Sequence, residues 1–256
     1  MAGIAKRIAT LEGQIQGMIE EIVALKIQVG DSDEPLFPAS LFDAIPGVGA
    51  PAGPADLKEV FVLIDLETGG LGKTSEIRIA QVGAIALDQQ MRVLGEFDEF
   101  ANPRRDIDAG ATAVNGITND FVKNLDDWSI VGLRLNQWIA GFANGLPITL
   151  CAHNGKRFDF RIIAFENARH KVKNLPNLYC TDTIPVFKEL FPGLENYKLG
   201  TIYSDAFKEQ IKDQHTALGD CKAMLRLLGC ASHQMVRDKL FKHRESFSAV
   251  IKRCFK

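Results

Sequence analysis

Asp65 and Glu67 close the apolar run "VFVLIDLET" two positions apart, so on a strand their carboxylates leave the same face. Two acids at the end of a buried strand repel each other and lose hydration, a cost that a divalent cation with hard oxygen ligands removes. Asp159 in "AHNGKRFDF" and Asp220 in "DQHTALGDC" add two more carboxylates, each at the edge of an apolar segment. His215 precedes Asp220 by five positions, about 500° on a helix, which would turn the two side chains apart. Gly219 and the polar stretch "KDQHT" instead put His215 in a loop and Asp220 in the first turn of the next helix. A loop histidine beside carboxylates suits a general base at neutral pH. Each piece alone has a plainer alternative: a chance D-x-E, charge compensation at a helix start by Asp159, a satisfied helix N-terminus at 213–221. Four acids in the order D-x-E, D, D, each at an element's edge, suit phosphodiester hydrolysis assisted by two divalent ions.

The elements that must position these groups read clearly. "VFVLIDLET" and "PITLCAHN" are continuous apolar runs, as for strands buried on both faces. "RIAQVGAIAL", "MRVLGEFDEFAN" and "NLYCTDT" read as three more strands. Helices are expected over residues 110–122, 127–143, 157–170, 183–191 and 217–231. Three strands followed by alternating helix and strand predict an α/β fold, with helices covering both faces of the sheet. Gly69 and Gly70 fit a tight turn after the first strand. His153 is expected to satisfy local backbone groups rather than to bind metal.

"FVLIDLETGGL", "AHNGKRFDF" and "HTALGDCKAML" resemble the three motifs of the DnaQ-like (RNase T-like) 3′–5′ exonucleases, in the branch with a histidine near the last aspartate (DEDDh). "LYCTDTIPVFKELF" and "YKLGTIYSDAF" look most like three-prime repair exonucleases, and the likeness covers about residues 59–230. It implies an RNase H-like mixed sheet of five strands and two magnesium or manganese ions on Asp65, Glu67, Asp159 and Asp220. It also implies His215 as the base that deprotonates the attacking water. Leu66 and the backbone around Thr68 would contact the terminal nucleotide, and Asn154 would support the site. "NPRRDIDAGATAVNGIT" looks like the segment that closes on the substrate's terminus. Two departures stand out: a glycine in "ETGGL" where threonine is frequent, and Asn115 where histidine is common.

The implied substrate is a single strand with a free 3′ end, DNA before RNA, released as nucleoside 5′-monophosphates. Arg104, Arg105, Lys156 and Arg157 could hold its phosphates, with ordinary surface charge as the alternative. A non-catalytic nucleic-acid-binding scaffold is the reading from another class, and the complete set of acids plus histidine opposes it.

The rest of the chain frames this domain. Ile8, Ile15, Ile22 and Val29 alternate in 4-3 spacing with Ile4, Leu11, Met18 and Leu25, which predicts a coiled coil over residues 1–29 and a homodimer or higher oligomer. Residues 30–57 hold five prolines and read as a linker carrying the apolar cluster "LFPASLF". Residues 1–57 carry three basic and eight acidic side chains, against 27 and 24 in residues 58–256. The exonuclease-like domain is expected over residues 58–232, and the basic stretch 233–256 as one amphipathic helix, solvated or in contact with nucleic acid. Five scattered cysteines without a C-x-x-C suit free thiols. No apolar run is long enough to cross a membrane and no secretory signal is visible, so an intracellular protein, cytoplasmic or nuclear, is expected.

Overall fold

The structure, a computed structural model, describes residues 57–256. The expected coiled coil, its oligomer, and the linker up to residue 56 lie outside the described residues.

Six strands form one sheet: β1 (Val60–Thr68), β2 (Ile79–Leu87), β3 (Val93–Phe100), β4 (Ile148–Ala152), β5 (Leu178–Asp182) and β6 (Glu245–Ser246). Their order is β3-β2-β1-β4-β5-β6. β1 to β3 are an antiparallel meander, while β4 and β5 run parallel to β1. The five expected strands are present, and the two-residue β6 is an addition, antiparallel to β5. Nine helices surround them among the described residues: α1 (Ala109–Asn115), α2 (Asn119–Val122), α3 (Trp128–Ala143), α4 (Asp159–His170), α5 (Thr183–Leu190), α6 (Leu199–Phe207), α7 (Ala217–Leu228), α8 (His233–Lys242) and α9 (Phe247–Cys254). None is long and apolar enough to cross a membrane.

The alternation of β1 builds two cores. Val60, Val62, Ile64 and Leu66 pack on one face with Trp128, Val131 and Leu135 of α3, Phe160 and Ile162 of α4, and Phe247 and Val250 of α9. Phe61 and Leu63 pack on the other with Phe187 of α5, Ile202 of α6, Met224 and Leu227 of α7, and Leu240 of α8. Asp65 and Glu67 continue this second parity, so the fold turns them toward α7.

Two helical expectations are corrected. The helix over 110–122 is broken, because Gly116 takes a left-handed φ of 73° and Thr118 restarts the chain by capping the Phe121 amide. The 233–256 stretch is two helices flanking β6 rather than one, and most of its cations are paired within the domain. Lys239, Lys242 and His243 meet Glu189, Arg244 meets Glu59, and Arg253 meets Glu245.

One glycine sets how closely α7 approaches the sheet. A Cβ on Gly83 of β2 would run into the backbone of Ala217 and Leu218. Gly83→Ala is therefore expected to lower stability by about 1–3 kcal/mol in urea denaturation; an unchanged midpoint would refute this contact.

Candidate active site

The register of β1 on β2 sets Asp65 opposite Gly83 and Glu67 opposite Gln81. Because Gly83 has no side chain, the first turn of α7 comes down over this end of β1 and brings Asp220 with it. One carboxylate oxygen each from Asp65, Glu67 and Asp220 lie within 4.8 Å of one another. Asp220 Oδ1 is buried without a hydrogen-bond partner. Asp159, 2% exposed, starts α4 with its carboxylate toward the Leu66 amide and joins the cluster electrostatically.

The crowding shows in the acids' proton affinity. Burial first, then the charges of Asp159, Asp220 and Glu67, hold the Asp65 carboxyl well above the usual range. Burial pushes Glu67 up to about 7, with the Asn115 amide opposing and Asp220 adding to the rise. Asp159 is pushed up to about 7 by burial, with the nearby Asp182 charge adding and the Leu66 amide opposing. Asp220 is raised to about 6 by burial, against the pull of His215. A lone buried oxygen among four hard acceptors matches divalent-cation coordination, not an internal hydrogen-bond network.

Supporting contacts fix the geometry. Gln81 donates through Nε2 to Asp98 at 2.7 Å, and its Oε1 accepts the Ala217 amide at the start of α7 at 3.4 Å. Thr216 caps α7 by accepting the Gly219 amide at 3.2 Å. In the preceding loop Asp213 and His215 take left-handed φ values of 55° and 66°, each costing on the order of 1 kcal/mol. His215 is exposed on this loop, close enough that its charge and its backbone amide both act on the Asp220 carboxylate. Asp182 caps α5 through the Ile184 amide at 2.9 Å and also accepts the Asn154 and Lys156 amides, each at 3.2 Å. That ties down the turn from which Asp159 emerges. His153 bridges Thr183 Oγ1 and the Tyr197 carbonyl, and burial holds its pKa below the usual value, so both ring nitrogens are satisfied.

The five expected catalytic residues, Asp65, Glu67, Asp159, His215 and Asp220, thus gather at one sheet end, while the expected substrate contacts fare unevenly. The Leu66 side chain is 5% exposed and packs in the first core, on the strand face opposite Asp65 and Glu67, while its backbone lies against Asp159. Thr68 is buried, and its carbonyl accepts the Asn115 amide at 3.3 Å. Asn154 acts through its backbone, with φ at 63° and a carbonyl that accepts the Arg157 and Phe158 amides. Arg104 is paired with Asp127 at 2.9 Å, and Lys156 with Glu245 at 3.4 Å. Arg105 donates to the Glu76 carbonyl in a cleft of about 50 Å³ beside Gly69 and Gly70. Arg157 is exposed, with no side-chain hydrogen bond or ion pair among the described residues.

Sequence reasoning missed Gln81 and Asp182 as supports of this site. Leu71 stands 87% exposed on the glycine-flanked turn after Glu67. Gln81 had a visible signal, a lone amide in an otherwise apolar strand.

Residues 62–228 match the RNase T exonuclease family. The chain belongs to this family. A DNA polymerase III subunit epsilon-like protein of Rhodobacter capsulatus is 35% identical over 182 residues, covering 67% of this chain and 24% of that protein. The 3′-5′ exonuclease DinG of Bacillus subtilis is 29% identical over 166 residues, 64% of this chain and 17% of that one. The exonuclease chain therefore spans about a quarter or less of these relatives' length. Among solved structures, E. coli exonuclease I in complex with a dT13 oligonucleotide shares the fold at a TM-score of 0.60 and 20% identity, over 72% of this chain and 44% of that one.

If the carboxylates repel as described, Asp65→Asn should raise the midpoint of thermal unfolding of the metal-free protein by at least about 2 °C. A lowered midpoint at pH 8 would show that the cluster is held by attraction.

Proposed function

We propose that this chain is a divalent-metal-dependent 3′–5′ exonuclease that hydrolyses single-stranded DNA from its 3′ end to nucleoside 5′-monophosphates. The observation that carries the reading is the convergence of Asp65, Glu67 and Asp220 around a buried oxygen without a donor, with Asp159 alongside, within the residues that match the exonuclease family. Two magnesium or manganese ions bound by these carboxylates would supply charge neutralisation at the scissile phosphate and a lowered pKa for water.

The chain's own groups do the rest. His215, exposed on a loop and next to Asp220, accepts the proton of the attacking water. The backbone is left-handed at Asp213 and His215, and the histidine is exposed to an incoming strand end. Leu71 offers an exposed apolar side chain on the turn that follows β1, suited to packing on a terminal base. Arg157 and Arg105 supply positive charge toward the phosphates of the strand, a salt-sensitive contribution. The structural neighbour's complex with a dT13 oligonucleotide favours single-stranded DNA over RNA for the site. The heptads over residues 4–29 would make the enzyme a homodimer or higher oligomer.

Strands of DNA and RNA labelled at either end and incubated with Mg²⁺ test the proposal. The 3′ label should leave first, while the 5′-labelled DNA shrinks as a ladder. His215→Ala should lower kcat by roughly 10²-fold or more and Asp220→Asn should abolish turnover, with folding intact. Internal cutting, preference for RNA, or full activity in either variant would overturn the assignment.

A further inference from the structure

The family match ends at residue 228, yet the fold continues through α8, β6 and α9. This segment buries Val236 and Leu240 in one core and Phe247 and Val250 in the other, so it is integral to the domain. One chain of contacts leads from it into the candidate site. Lys156 donates through Nζ to the His243 carbonyl at 3.3 Å and pairs with Glu245 Oε1 at 3.4 Å. Glu245 is held from its other side by Arg253 at 2.7 Å, and by the pairing of β6, in which Cys180 lies opposite Glu245. Deeper in the same interface the Thr181 hydroxyl donates to the Leu240 carbonyl at 2.9 Å.

Lys156 sits in the turn between β4 and α4, three residues before Asp159. Its backbone amide is fixed by Asp182, which also fixes the amide of Asn154. The Arg157 and Phe158 amides bond back to the Asn154 carbonyl, and the Phe160 amide to that of Gly155. The turn is therefore a short hydrogen-bonded relay that delivers Asp159 at its far end. It is gripped by its backbone from the α5 cap and by its Lys156 side chain from the 233–254 segment.

We propose that the 233–254 segment positions Asp159, with Glu245 acting through Lys156. Both are positioning residues, and neither is assigned a contact with substrate. A partly exposed ion pair contributes little to global stability, but a catalytic group displaced by about 1 Å can lose roughly 10²-fold in rate. The segment's role lies in geometry, not in the nucleic-acid affinity that its basic composition suggested.

The proposal rests on the exonuclease reading, and its test separates the two. In the full-length protein Glu245→Ala should lower kcat about tenfold and leave KM within about twofold. Glu245→Gln, which keeps an oxygen for Lys156, should recover most of the loss. Lys156→Met should match Glu245→Ala, and the double variant should be no worse than either, as expected for one shared contact. A second readout needs no metal or substrate: hydrogen exchange at the Lys156, Arg157 and Phe158 amides should speed up in Glu245→Ala while the core strands stay protected. An unchanged kcat, losses that multiply in the double variant, or a lowered KM from a Lys156 freed to bind the strand would each overturn the proposal. So would unchanged exchange. A wild-type protein without activity would refute the exonuclease reading, and the exchange experiment would still decide the positioning contact.

Discussion

Four carboxylates held at one end of a buried sheet repel one another, and the rest of the domain is arranged to keep them there. Asp65 and Glu67 cannot move apart, because both are paired with β2, and the strand they extend is paired on both sides up to Leu63 and packed on both faces. Asp159 and Asp220 come from separate helices whose first turns are pinned from outside the cluster. The outcome is a set of acids that hold their protons far more tightly than free carboxylates do. Folding energy elsewhere offsets this electrostatic strain, a familiar condition of sites that await a cation.

The pinning is done by small and neutral groups. Gly83 gives α7 its close approach, and the Gln81 amide links the start of α7 to Asp98 on the next strand. Asp182 is a further acid near Asp159, and three backbone amides hold it in place. The loop carrying His215 is built differently, with two non-glycine residues in the left-handed region and the histidine exposed. Rigid acids and an exposed histidine differ in kind: the first set the charge geometry, and under the proposed function the second answers to an arriving strand end.

Much of this was legible in the sequence. The continuous apolar runs around Val60–Thr68 and Ile148–Ala152 specify buried strands, and the acids that interrupt them announce the site. The loop position of His215 and the first-turn position of Asp220 follow from Gly219 and the polar residues before it. Other features depend on contacts that no local pattern records. The split between α1 and α2 turns on a left-handed Gly116, and β6 on a two-residue pairing 63 positions or more from its partner strand. The basic stretch after residue 232 looked like a free cationic helix, because the acids that neutralise it, such as Glu59 and Glu189, lie far away in sequence. The side chain of Leu66 enters the first core, because its parity is opposite to that of Asp65, and this matters only once the two cores are known.

The central claim is that the carboxylate cluster is a divalent-cation site. Calorimetric titration of Mn²⁺ into the metal-free protein, with no nucleic acid present, tests it most directly. Saturable binding of two ions per chain, weakened at least about tenfold by Asp220→Asn, is the predicted result. No saturable binding, or the same isotherm in Asp220→Asn, would contradict it.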